Sequence, residues 1–182
     1  MLSDVQKDKL TRYFRVYDID DDGRIALPDF ERVVENVRML HGVDERSAAH
    51  RKLRESYLRR WEALAAGADV NNDGAVHVDE WLTYWDGVLS DETRYQAEVA
   101  GVVDTLFEIF DDDGDGVLGA DEFCNFYGVY GLKSALARQV FIDLDLDGDG
   151  VVTRQELMEM AHEFYRSGDP NAPGNRLFGS VR

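Results

Sequence analysis

At 182 residues, with 44% apolar and 11% aromatic content, the chain has enough apolar surface to bury a core, either as one compact body or as two lobes. A formal net charge of -17 excludes nucleic acid as the default partner, and a single cysteine, Cys124, excludes an intrachain disulfide framework and favours a reducing compartment. No segment approaches the roughly 20 apolar residues that span a bilayer, residue 2 is Leu rather than Gly, and Ser180, Val181 and Arg182 offer no prenylation cysteine, so an unlipidated cytoplasmic chain is expected.

The first element is a helix carrying Leu10, Tyr13, Phe14 and Tyr17 at helical spacing. It runs into Asp18–Asp29, which places Asp18, Asp20 and Asp22 at its first, third and fifth positions, Gly23 at the sixth and Asp29 at the twelfth. This is the spacing of a calcium-binding loop. A hard divalent cation takes about six to eight oxygens, and a short chain wraps one only if alternate residues point inward and the turn tolerates positive φ. The seventh residue, Arg24, adds its backbone carbonyl, so its side chain is expected to point away and to be uninformative.

Phe30, Val33, Val34 and Val37 then resume the helical pattern, Gly42 ends that helix, and Asp44 is placed to cap a third helix running to about Ala66 with Trp61, Leu64, Ala65 and Ala68 on its apolar side. The second loop, Asp69–Glu80, offers Asp69, Asn71, Asp73, the carbonyl of Ala75 and Glu80, and is followed by Trp81, Tyr84, Trp85 and Val88. Ser90 or Asp91 caps a fifth helix with Val103, Leu106, Phe107 and Phe110. The third loop, Asp111–Glu122, offers Asp111, Asp113, Asp115, the carbonyl of Val117 and Glu122, and precedes Phe123, Phe126, Tyr127 and Tyr130. Gly131 ends that helix, a new one carries Ala137, Val140, Phe141 and Leu144, and the fourth loop offers Asp145, Asp147, Asp149, the carbonyl of Val151 and Glu156 before Leu157, Met160, Ala161 and Phe164. Ile25, Val76, Leu118 and Val152 stand at the eighth positions, where short extended segments are expected to pair the first loop with the second and the third with the fourth.

The loop starts are 51, 42 and 34 residues apart, so the first pair carries an insertion, and no flexible linker separates the halves. The expected fold is all-α: two pairs of EF-hands, residues 1–90 and 91–182, packed into one compact globule. Around the loops, the opening Leu2, Ser3 and Asp4, the long spacing from first to second loop, Trp81 and Trp85, and the tail Gly174, Asn175, Arg176, Leu177, Phe178 and Gly179 resemble the sarcoplasmic calcium-binding protein family, most closely its calexcitins. The resemblance implies a tail that folds back onto the globule. The family usually has a degenerate loop, whereas all four here keep their ligands, so each is judged on its own residues.

The third and fourth loops are the strongest calcium sites, and the second keeps its oxygens with one charge fewer through Asn71. Asp29 is one methylene shorter than Glu, which makes the first loop a candidate Mg²⁺ site among up to four Ca²⁺ sites. Only four methionines are present and the apolar faces carry stiff aromatics, so a calcium buffer is the expected role, with a calcium-dependent sensor as the alternative. A second alternative is a small-ligand carrier of the luciferin-binding type, with Trp61, Trp81, Trp85, Tyr84 and Tyr127 lining a cavity. No catalytic constellation is present: His41, His50, His77 and His162 have no zinc spacing, and carboxylates committed to an ion are poor general acids. Arg46, Arg51, Lys52, Arg54, Arg59 and Arg60 crowd the inserted helix, which reads as a solvated face braced by Arg51–Glu55 and Glu55–Arg59 pairs or as a docking surface for an acidic protein or membrane. The chain is expected to be a monomer.

Overall fold

Each acidic stretch stops the helix that leads into it by the same local event. The first aspartate, Asp18, Asp69, Asp111 or Asp145, keeps its N–H on the carbonyl four residues back while its ψ swings to between 76° and 84°. Repeated four times, this divides the chain of the computed structural model, described for residues 1–178, into four helix–loop–helix units. Gly179, the end of the tail motif, lies with Ser180–Arg182 outside the described residues.

The elements are α1 (Asp4–Tyr17), β1 (Arg24–Ala26), α2 (Leu27–Leu40), α3 (Ala48–Ala68), β2 (Ala75–His77), α4 (Val78–Ser90), α5 (Glu92–Phe110), β3 (Leu118–Gly119), α6 (Ala120–Val129), α7 (Ser134–Leu144), β4 (Val151–Val152) and α8 (Arg154–Arg166), followed by a 3-10 turn at Pro173–Arg176. The fold is all-α apart from the short strands inside the loops. As expected, β1 pairs with β2 and β3 with β4, antiparallel, with Ile25 opposite Val76 and Leu118 opposite Val152. All four of these eighth-position side chains are fully buried, so each ribbon also plugs the end of the core.

Helix starts follow their caps. Asp91 caps α5 by accepting the N–H of Arg94, and Ser90 is instead the last residue of α4. Asp44 does not cap α3. Its carboxylate accepts the N–H of Arg46 at 2.7 Å and its carbonyl accepts that of Ser47, closing a turn that delays the helix until Ser47 caps it through the N–H of His50. At the far end Gly131 takes φ +73°, which lets the N–H of Leu132 reach the carbonyl of Tyr127 and end α6.

The helical stripes read from the sequence are buried almost throughout and meet in a single continuous core. The exceptions are α3, whose Trp61, Leu64 and Ala65 are only partly buried, and the stripe after the third loop, where Phe126 and Tyr130 are partly buried. The tail folds back as the resemblance implied: Leu177 is buried, the Tyr127 hydroxyl donates to its carbonyl, and Phe178 stacks on Tyr13 with ring centroids 4.6 Å apart. Gly174 permits this, because a Cβ there would lie 2.5 Å from that of Glu163 and 2.7 Å from the Met160 carbonyl oxygen. Side chains of α1 hold the last helix and tail by their carbonyls: Gln6 donates to Tyr165, Lys9 to Glu163 and Ser167, and Arg12 to Asn175.

The basic residues of α3 are not braced as expected. Among the described residues no Arg51–Glu55 or Glu55–Arg59 ion pair forms; Arg54 pairs with Glu31 of α2 at 3.0 Å and Lys52 with Glu108 of α5 at 3.0 Å, because α3 lies within reach of acidic residues on both neighbours.

Candidate metal centre

The four loops share one hydrogen-bond lattice. The first aspartate accepts two backbone N–H groups from inside its own loop; for Asp18 these come from Asp22 and Gly23 at 3.0 Å each, and for Asp145 from Asp149 and Gly150 at 3.0 Å each. The fifth-position carboxylates of Asp22, Asp73, Asp115 and Asp149 each accept the N–H of the seventh residue, Arg24, Ala75, Val117 and Val151 in turn. The sixth-position glycines Gly23, Gly74, Gly116 and Gly150 all take φ between +84° and +89°, the left-handed turn that the spacing required.

The twelfth-position acid reaches back across each loop. Glu122 accepts from Asp112 and Gly119, both at 2.8 Å, and Glu156 accepts from Leu146 and from the backbone and hydroxyl of Thr153. Glu80 does the same with Val70 and His77. Asp29, one methylene shorter, still accepts from Ile19 at 3.1 Å and Ala26 at 2.8 Å and is buried in doing so. Burial pushes its carboxyl above the ordinary range, partly offset by those two N–H groups, and burial raises Asp18 as well. Burial would also raise Glu156, but the Thr153 and Leu146 donors outweigh it and hold the group low.

Carboxylates converge within 4.8 Å of one another in three loops: Asp18, Asp20 and Asp22; Asp111, Asp113 and Glu122; and Asp145, Asp147 and Glu156. In the second loop the Asp73 carboxylate is engaged by the Asn71 amide at 3.0 Å and by His77 at 3.2 Å. Hard oxygen donors in this density fit a divalent cation, which would relieve their mutual repulsion and take a further oxygen from the carbonyls of Arg24, Ala75, Val117 and Val151. The Arg24 side chain does not point away. Its guanidinium lies 2.8 Å from Asp22, because the seventh and fifth residues fall on the same side of the tight turn.

One conserved geometry escapes the ligand pattern. The fourth residue of every loop is also left-handed, filled by Asp21 and Asn72 at φ +58° in the first pair and by Gly114 and Gly148 at +75° and +74° in the second. Asp, Asn and Gly are the residues that tolerate this region, and their recurrence three places after the opening aspartate is the signal that would have found it.

Family models for an EF-hand domain pair and an EF hand match residues 100–130 and 137–161, covering the third and fourth loops. Over nearly the whole length the chain is 24% identical to calerythrin of Saccharopolyspora erythraea, covering 91% of this chain and 94% of that one, and 25% identical to sarcoplasmic calcium-binding proteins of Branchiostoma lanceolatum, covering 98% of each. These matches support an EF-hand family like that of the sarcoplasmic calcium-binding proteins. Calexcitin-1 of Caenorhabditis elegans is 28% identical over 84% of this chain and 75% of its own. The solved amphioxus sarcoplasmic protein superposes with a TM-score of 0.68 over all of both chains at 23% identity, and the coelenterazine-binding protein of Renilla muelleri with 0.73 over 99% and 100% at 21%, likenesses that concern the fold alone. The EF-hand loops and their acidic triads support Ca²⁺ binding, and the family is one of calcium-binding proteins rather than enzymes.

Proposed function

We propose that the chain is an intracellular calcium buffer, monomeric, with calcium at the second, third and fourth loops and magnesium favoured at the first. The observation that carries this reading is the tail. Leu177 and Phe178 pack against Tyr13, Tyr127 and Phe164 in the middle of the core, where a sensor would keep a groove for its target. Magnesium at the first loop follows from Asp29, whose shorter side chain favours the lower coordination number.

The test is a pair of measurements. Calorimetric calcium titration with and without millimolar magnesium is expected to yield up to four sites, one of which competes with magnesium. A column of immobilised phenyl groups is expected to pass the protein equally with calcium and with chelator. Calcium-dependent retention would replace the buffer by a sensor. Saturating calcium at 100 times its dissociation constant stabilises the fold by about 2.7 kcal/mol per independent site, so chelation is expected to lower the melting temperature markedly.

Docking to an acidic membrane or protein through Arg46–Arg60 is the weaker reading, since Lys52 and Arg54 are already paired within the chain. A small-ligand carrier of the luciferin-binding type is favoured by one observation, a cavity beside α3 lined by Trp81, Tyr84 and Trp85.

A further inference from the structure

The cavity has a volume of about 310 Å³ and lies between α1, α3, α4 and α5. That is the low end of the roughly 300–1,000 Å³ of small-molecule sites, and large beside the single waters that interiors usually hold. Its inner wall is aromatic and buried: Tyr13 and Tyr17 from α1, Trp81 and Trp85 from α4. Its rim is made of exposed small residues, Ala63 from α3 and Ala97 and Gly101 from α5, and a Cβ added at Gly101 would meet nothing within 4 Å. Of the five aromatics expected to line such a space, Trp61 packs on Phe30 instead and Tyr127 is committed to the tail.

Two charged groups are built into the wall. Arg60 arches from α3 to α5, donating to the Thr105 hydroxyl and the Gly101 carbonyl, and makes no ion pair with a carboxylate among the described residues. Glu98 accepts from the Tyr84 hydroxyl and likewise lines the cavity. Gly101 and Thr105 lie three and seven residues beyond Glu98 on α5, about 5 to 10 Å along the helix, so the positive group stands on the C-terminal side of the negative one. Trp85, between them in sequence terms on α4, has an indole N–H with no acceptor among the described residues.

From this geometry we infer that the cavity is a binding site for a flat aromatic anion, its rings stacked among Tyr13, Trp81 and Trp85 and its anionic group held by Arg60. The inference rests on the carrier reading of the cavity and adds to it the charge of the ligand and the residue that selects it. A neutral aromatic of the same size would fill the space but leave the Arg60 guanidinium without a counter-charge. A cationic one would be repelled at that end.

The test uses the full-length, calcium-loaded protein and two fluorescent probes of similar shape: anionic 8-anilino-1-naphthalenesulfonate and neutral N-phenyl-1-naphthylamine. The expected result is saturable one-to-one binding of the anion, with energy transfer from tryptophan. Gly101→Phe, which fills the rim, is expected to weaken both probes at least about tenfold. Arg60→Met is expected to weaken only the anion, by about tenfold, and to leave the neutral probe within about twofold. Unchanged calcium isotherms and melting temperatures in both variants separate these effects from misfolding. No saturable binding of either probe, or binding indifferent to Gly101→Phe, overturns the site and the carrier reading together. Binding of both probes with no selective loss in Arg60→Met overturns the anion assignment and leaves a neutral-ligand carrier standing.

Discussion

The two loop pairs are built on one formula and balance their charge differently. In the second pair the seventh and ninth residues are Val117 and Gly119, Val151 and Thr153, with no cation among them, and the left-handed fourth position is glycine in both loops. In the first pair Arg24 and His77 face each other across the β1–β2 ribbon, and each reaches a ligand carboxylate, Asp22 at 2.8 Å and Asp73 at 3.2 Å. Asp21 and Asn72 hold the fourth position there, and Asp29 closes the first loop. The first pair therefore carries built-in side-chain partners, Arg24 and His77, that compete with a bound ion for its carboxylates, while the second leaves its carboxylates to repel one another until an ion arrives. A twelve-residue pattern identifies a site; the side chains between its ligands set how strongly the site needs the ion.

That contrast can be broken at its strongest point first. Glu122→Gln or Glu156→Gln removes one charge from a triad with no internal cation, and calorimetry is expected to show calcium affinity at that loop falling by about 100-fold, the loss of a charged contact of about 3 kcal/mol. Glu80→Gln, in the loop already moderated by His77, is expected to cost clearly less, and equal losses would erase the distinction. Next in size, Asp29→Glu lengthens the closing side chain and is expected to raise calcium affinity at the first loop by about tenfold while abolishing magnesium competition there. Unchanged affinity would mean that the methylene is immaterial. Arg24→Ala removes an exposed, solvent-screened pair, so calcium at the first loop is expected to tighten by no more than about fivefold. The smallest effect belongs to Asn72→Gly, which relieves a left-handed residue and is expected to move chelated-state stability by under about 1 kcal/mol in chemical denaturation.

The all-α fold, the pairing of loops and the helical stripes were legible because each rests on a short-range rule: alternate oxygens, a glycine turn, apolar residues every three or four. Ile25 opposite Val76 and Leu118 opposite Val152 followed from position eight alone. What was not legible depends on geometry between elements or within one turn. Asp44 is as good a cap as Ser47 in isolation, and only its turn with Arg46 decides against it. Arg24 was dismissed on the role of its backbone, although its side chain had a carboxylate two residues away. The partners of Arg54 and Lys52 lie on helices distant in sequence, and the cavity is lined from α1, α3, α4 and α5 together, a juxtaposition no spacing encodes.

The hold of α1 on the last helix and the tail has a consequence in time. The four backbone carbonyls taken by Gln6, Lys9 and Arg12 lie between 154 and 159 positions further on for the first two residues and 163 for the third. Contacts of such separation are slow to close. During synthesis, α1 is made before any of these acceptors, and at about 5–20 residues per second the four hydrogen bonds wait on the order of ten seconds, while its aromatic stripe already has Phe30, Trp81 and Trp85 to pack on. The helix can therefore dock on its own half of the chain early and be locked only when the last helix and the tail arrive to offer their carbonyls.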